Sequence, residues 1–526
     1  MMKIERERTE QRFCRAFLAL IATLSAAAAP AHATDTKPPR IAVTQGTLEG
    51  VQNGAVKMFL GVPFAEPPVG PLRWAPPQPA IPWTGLRSAK SFGARCMQGP
   101  IFADMIFRDP GISEDCLTLN VWTPAKHTNA KLPVMVWFFG GGFVAGGTSE
   151  PRHDGANLAK NGVVVVTLNY RLGIFGFLVH PALVDESANR ASGNYGLLDQ
   201  TAALRWVQQN IEAFGGDPNN VTIFGESAGS LSVSAQMTSP LAKGLFERAI
   251  GESGGAVPFP SMAELAALDA QFVESKLSAT TLEQLRALPA DKLLDVSMTE
   301  GGQGGISFGP DVDGYFLPRS LSEIYTMGQQ NDVPLLAGWN RDEAGIRVTA
   351  TAESFTAMVT SQFGDDAAEI LKLYSTTTDA EAVRSASDFA ADNFTGFSTW
   401  KWLEAAVVTG KQPVYRYSFD RVIPSEPRPP AGRSAYHSGE IPYVFGNLDL
   451  LKGFAWSAED RRISQQMQKY WSNFARNGNP NGPGLPAWPP YSPSSGWQVL
   501  HLNGALSVSP DKHRERHLLL NRLRTP

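Results

Sequence analysis

No internal repeat and no low-complexity linker interrupts this chain of 526 residues, which argues against a string of modules and for one large domain. An excess of one charge is also missing. Lys and Arg number 46 against 50 Asp and Glu, a net charge of −4, so nothing draws the surface to nucleic acid or to an anionic membrane. With 43% hydrophobic and 18% charged residues, 49 Gly and 39 Pro, the composition excludes a disordered or fibrous chain and suits a loop-rich globular one. The one dense basic stretch, "KHRERH" from Lys512 to His517, reads as a solvated helix face.

Cysteine is scarce, with three in the whole chain. The first, Cys14, lies in an N-terminal segment of distinct composition: Lys3, Arg6, Arg8, Arg12 and Arg15 lead into "AFLALIATLSAAAA" and then "PAHA". A basic start, an apolar run and a small-residue site in that order predict a signal peptide cleaved near Ala33, and hence an exported protein, periplasmic or secreted. The apolar run is too short to span a bilayer, and no Cys follows the cleavage site to carry a lipid, so no stable membrane anchor is expected. Residues 34–526 keep 41 basic and 47 acidic side chains, a net charge of −6. They also keep two cysteines, Cys96 and Cys116, and an even pair in an exported chain is expected to form a disulfide. No His lies between them to suggest a metal site.

Several apolar runs rich in Val, Ile and Phe predict buried strands of a largely parallel sheet: "PVMVWFF", "VVVVTLNY", "NVTIF" and "VPLLAGW", with "PVYRYSFD" and "WQVLHL" as later candidates. Between the second and third, Leu197, Leu204, Val207 and Ile211 recur at helical spacing, which makes a strand–helix–strand crossover. The fold class predicted is α/β: a large, mostly parallel central sheet flanked by helices, with helical insertions at about 260–310 and 350–410.

Two closely similar stretches, "GESAG" at 225–229 and "GESGG" at 251–255, are among those that fit G-x-S-x-G. Chance alone supplies about 0.3 such matches in a chain of this length and composition, so context must choose between them. A nucleophile elbow needs a strand, a cramped turn and a helix behind it. Around Ser227 the order is "NVTIF", the turn, then "AGSLSVSAQM"; around Ser253 "GGAVPFP" puts two Gly and two Pro where the helix should begin. Ser227 is therefore the expected nucleophile.

With these residues in place, the sequence resembles the type-B carboxylesterase and cholinesterase family of α/β hydrolases. The resemblance is carried by "FLGVPFAEPPVGPLRW", "SEDCLTLNVWTP", "FFGGGFVAGG", "NYRLGIFGFL", "GNYGLLDQTAALRWVQQNIEAFGGDPNNVTIFGESAGS", "VPLLAGWNRDEAG" and "YHSGEIPYVFG", from about residue 40 to about 480. It implies an α/β-hydrolase fold and a serine esterase working through an acyl-enzyme. It also implies that Ser253 is a buried serine near the catalytic acid and that Glu226 stands beside the nucleophile.

Serine hydrolysis needs a base and an acid that orients it, in the chain order Ser, acid, His for α/β hydrolases. Of the histidines after Ser227, His501 sits in a strand-like run and His513 and His517 in the charged tail. His437 lies in a loop rich in Gly and Ser, and the resemblance of "YHSGEIPYVFG" to the family's histidine motif implies it is the base. For the acid, physical reasoning leaves Asp342 and Glu343 equally placed beyond a strand; the resemblance implies Glu343, with Asp342 at the surface or bracing the loop.

The glycines of "FFGGGFVAGG" allow two readings. Gly140, Gly142 and Ala145 fit the dinucleotide fingerprint, but no amphipathic helix follows and the next strand ends in "LNYR" without an acid for a ribose. In the esterase reading Gly141 and Gly142, with the N–H of Ala228, form an oxyanion hole. Phe139 stands where the family often has His. No metal or organic cofactor is required, and the expected partner is a small-molecule ester.

Cholinesterases carry a Trp about ten residues before the second cysteine of the first disulfide loop; Ile106 occupies that place here, which argues against a quaternary ammonium substrate. Phe143, Phe394, Phe397 and Trp400 are candidates for an apolar gorge and equally for core. The same residues would serve an amidase, a carbamate hydrolase or a lipase. A non-catalytic homologue is disfavoured because all three residues of the triad are in place.

Overall fold

The computed structural model describes residues 37–300, 308–424 and 434–524. The leader expected at 1–33 lies outside the described residues. The centre is an 11-stranded sheet. Its strands are β1 (Val51–Asn53), β2 (Val56–Pro63), β3 (Thr118–Thr123), β4 (Leu132–Phe138), β5 (Val164–Leu168), β6 (Gly216–Glu226), β7 (Arg248–Glu252), β8 (Leu335–Asn340), β9 (Val414–Phe419), β10 (Gln498–Leu502) and β11 (Ser507–Pro510). They lie in the order β11-β10-β9-β8-β7-β6-β4-β5-β3-β2-β1. The run from β10 to β5 is parallel, and β1–β3 and β11 pair antiparallel at the two ends.

The parallel strands are apolar along their whole length because helices cover both faces. Every residue of β5 and β8 is buried, and all of β4 except its first. Helix α1 (Tyr195–Asn210) makes the expected crossover, and α2 (Ala228–Thr238) follows β6 directly. The first insertion contains α3 (Met262–Phe272), α4 (Leu282–Ala287) and α5 (Ala290–Glu300). The second contains α6 (Ala352–Phe363), α7 (Ala367–Leu373), α8 (Asp379–Ala391) and α9 (Phe397–Thr409). Among the described residues no helix is long and apolar enough to cross a membrane.

Two differences from the sequence reading have physical causes. β6 begins at Gly216, well before "NVTIF", and its pairing with β4 shifts register between Gly216 and Val221, so a polar start is tolerated ahead of the buried end. The charged tail folds as helix α10 (Arg514–Arg524), and it is not wholly solvated. His517 is fully buried, bonds Asp392 through Nε2 at 2.9 Å and stacks on Trp400 at 5.4 Å, so this helix packs on the second insertion.

Cys96 and Cys116 form the expected disulfide, and both are buried. Closing a loop of that length restricts the unfolded chain by roughly 3 kcal/mol. Cys96→Ser with Cys116→Ser is expected to lower unfolding stability by about that amount in urea titration; an unchanged midpoint would show that the loop is held by other contacts.

Candidate active site

The two G-E-S-x-G stretches turn out to be neighbours. They end the adjacent parallel strands β6 and β7, paired in register, Gly225 opposite Gly251 and Glu226 opposite Glu252. Both serines follow with a left-handed backbone, φ 56° at Ser227 and 58° at Ser253. What separates them is what comes next. Ser227 opens α2 and is partly exposed, whereas Ser253 is fully buried and no helix follows it before residue 262.

The bend at Ser227 has φ 56° and ψ −122°, a region costly for any residue with a side chain, and its N–H donates to the Glu252 carbonyl at 2.8 Å. Glycine at 229 is obligatory here: a Cβ there would lie 2.0 Å from the carbonyl oxygen of Phe138. The close approach of α2 to β4 thus fixes where the serine hydroxyl can sit.

His437 stands on the loop that precedes Ile441–Phe445. Its Nδ1 lies 2.5 Å from Oε2 of Glu343, whose other oxygen accepts the Asn340 N–H at 2.7 Å, so the buried carboxylate is fixed at both ends. Nε2 is 3.2 Å from Oε1 of Glu226, the residue preceding Ser227 on the same bend. Phe394, on a wide π turn over Asp392–Gly396, packs edge-on against the imidazole at 4.9 Å. Asp342 is not at the surface. It is fully buried and accepts from Arg341 at 2.8 Å, Arg384 at 2.7 Å and the Ala435 N–H at 3.0 Å, tying the turn after β8 to the histidine loop. Burial pushes its pKa up, but those three donors outweigh burial and hold the carboxyl below its usual range.

Four carboxylates lie buried at this site, Glu226, Glu252, Glu343 and Glu440, and all but Glu252 act on the His437 imidazole. Glu252 accepts from the Trp471 indole at 2.7 Å, and Glu440 accepts from Asn340 at 2.5 Å and from the Ser253 hydroxyl at 3.5 Å. Burial raises Glu226 to about 7 and Glu440 to about 8, and pushes Glu252 well up. Burial works the other way on His437, but the charges of Glu226 and Glu343 overcome it and raise the imidazole to about 10. These shifts belong together: a charged Glu226 holds the proton on His437, and a neutral Glu226 lets it go.

After β4 the chain turns through Gly140–Gly142, and no helix begins before Pro151. Gly141 has φ 116°, and a Cβ there would strike the Ala145 carbonyl oxygen at 2.1 Å. Among the described residues the N–H groups of Gly141, Gly142 and Ala228 have no hydrogen-bond acceptor. Phe139 needs no polar partner, because its ring stacks on Tyr170 at 4.4 Å while its carbonyl accepts the Tyr170 hydroxyl at 2.7 Å. Gly141, Gly142, Ser227, Ala228, Glu226, Ser253, Glu343 and His437 all line one cavity of about 1540 Å³.

Of the four aromatic residues considered for a gorge, Phe143 and Phe394 line the cavity. Phe397 and Trp400 stack on each other outside it, and Trp400 on His517. Ile106 is 64% exposed and outside the cavity lining; the disulfide loop presents Phe102 and Met105 instead. Sequence reading missed Arg152, which lines the cavity and pairs with Glu150 at 2.6 Å and Asp104 at 3.1 Å, and it missed Glu440. Nothing local marks Arg152; Glu440 stands three residues after His437 within a stretch already singled out.

A model of the carboxylesterase family matches residues 37–518. The chain is 39% identical over 511 residues to a fumonisin B1 esterase of Sphingopyxis macrogoltabida, covering 93% of this chain and 92% of that one. It is 38% identical to carboxylesterase 1C of Mus musculus, over 88% and 89% of the two chains. Among solved structures, a Geobacillus stearothermophilus carboxylesterase superposes with a TM-score of 0.79 at 34% identity, covering 91% of this chain and 99% of that one.

Glu226→Gln removes the charge 3.2 Å from Nε2, so the His437 cation loses support and its pKa falls. The neutral imidazole then persists to lower pH, and the acid limb of kcat/KM against pH is expected to move down by about one unit or more. An acid limb that stays or moves up would contradict the coupling between these two groups.

Proposed function

The chain belongs to the carboxylesterase family and hydrolyses carboxylic esters, and on that premise we propose that Ser227, His437 and Glu343 carry out the reaction. The observation that carries this reading is the 2.5 Å contact between His437 Nδ1 and Glu343 within the cavity that Ser227 enters from its bend. Nε2 takes the hydroxyl proton as Ser227 attacks the ester carbonyl, and Glu343 steadies the imidazolium. The free N–H groups of Gly141, Gly142 and Ala228 receive the developing oxyanion, each worth roughly 3 to 4 kcal/mol in the transition state. The imidazolium then protonates the leaving alcohol, and water activated by the same nitrogen releases the acid. Ser253 and Glu226 support the triad from behind.

The substrate we propose is an uncharged ester bulky on both sides of the scissile bond. The cavity, about 1540 Å³, exceeds the roughly 300–1,000 Å³ that houses a drug-sized ligand, and its walls include Phe143, Leu231, Val257, Phe259, Ile441 and Phe454. Export is proposed from the leader at 1–33 together with the Cys96–Cys116 disulfide, which persists in an oxidising compartment.

Ser227→Ala is expected to lower kcat by about 10⁴-fold or more, while Ser253→Ala, whose hydroxyl meets only Glu440, retains activity within about tenfold. Across a panel of aryl esters of graded acyl length, kcat/KM is expected to rise with acyl bulk beyond acetate. Loss of activity in the Ser253 variant alone would reverse the assignment; a preference for acetate would refute the substrate reading.

A further inference from the structure

A second cavity, of about 230 Å³, lies at the carboxyl ends of β8, β9 and β10 and shares no lining residue with the first. Arg416 of β9 forms part of its wall and is 2% exposed. The guanidinium lies over the Trp339 ring at 4.1 Å and over Tyr491 at 5.6 Å. Stacking of this kind occupies the faces of the plane and leaves the N–H edges for a ligand. Asp511 stands beside Nη1 as an ion pair, and neither Nη1 nor the buried Nε makes a hydrogen bond among the described residues.

Four carboxylates line this cavity, and each is already engaged within the protein. Asp388 accepts from Arg516 at 2.8 Å, Asp392 from His517 at 2.9 Å and Tyr374 at 2.6 Å. Asp420 meets His501 and Ser418, each at 2.7 Å, and Asp511 accepts from Tyr491 and from the His513 N–H, each at 3.0 Å. The unengaged groups are donors: Arg416 Nε, together with the Lys512 ammonium and the His513 ring, which have no hydrogen-bond or ion-pair partner among the described residues; burial lowers the His513 pKa to about 4, so its ring donates as a neutral imidazole. A buried donor without an acceptor costs roughly 1 to 3 kcal/mol, which a bound acceptor would recover.

We propose that this cavity binds a small anion, an oxoanion or a short dicarboxylate, with Arg416 as the buried anchor and Lys512 and His513 closing over it. Its volume lies below the range for drug-sized ligands, which fits a guest of a few heavy atoms. The site is independent of the esterase assignment, since none of these groups reaches the catalytic cavity.

The test is calorimetric titration of the full chain with inorganic phosphate and, separately, with succinate, at ionic strength held constant with chloride. One saturable site per chain is expected, with the tighter of the two probes identifying the anion class. Lys512→Glu with His513→Ala is expected to weaken it about tenfold or more. Arg416→Lys, which keeps the charge but not the planar fork, should weaken it as well, with unchanged ester hydrolysis reporting that each variant is folded. No saturable binding of either probe, or equal affinity in the folded variants, would overturn the proposal.

Discussion

The burial of several carboxylates around a single imidazole is the constraint on which the site depends. β6 and β7 end side by side, so Glu226 and Glu252 are brought together by register alone, and the histidine loop adds Glu440 while the turn after β8 adds Glu343. Four anions cannot all stay charged away from water beside one cation. Burial therefore favours the protonated form of some of them, and the charge on Glu226 and the charge on His437 are set together. Glu343 has both oxygens engaged, one by a main-chain N–H and one by the imidazole, whereas Glu226 and Glu252 each keep one oxygen without a hydrogen bond among the described residues. That fixed geometry suits it to orient the base.

The strained turns follow from the same packing. α2 lies so close to β4 that only glycine fits at 229, and the serine at the head of the helix is forced to a positive φ. The glycine turn after β4 lies against this bend, a Cβ at Gly140 falling 2.9 Å from that of Ser227, and among the described residues no acceptor takes its Gly141 and Gly142 N–H groups. Asp342 ties the turn that carries Glu343 to the loop that carries His437 and so holds the two side chains together.

Much of this was legible along the chain because its signals are local. A buried parallel strand is an apolar run, and a nucleophile bend is glycine, serine and glycine between a strand and a helix; Ser227 could be chosen over Ser253 on that ground. Physical reasoning along the chain left Glu343 and Asp342 equal, because both follow the same strand; the family resemblance pointed to Glu343, and in the fold it is Glu343 that meets His437 while Asp342 meets Arg341, Arg384 and Ala435. Arg152, Glu252 and Glu440 gain their roles from residues far away in sequence. His517 reads as part of a charged tail, yet it is buried because the second insertion supplies Asp392 and Trp400 to receive it.

The most direct measurement is a crystal structure of the protein after reaction with a fluorophosphonate ester. The account predicts phosphorus bonded to Ser227 Oγ, with the phosphoryl oxygen accepting from Gly141, Gly142 and Ala228 and His437 still bonded to Glu343. Phosphorus on another residue, or an oxygen turned away from the glycine loop, would contradict it.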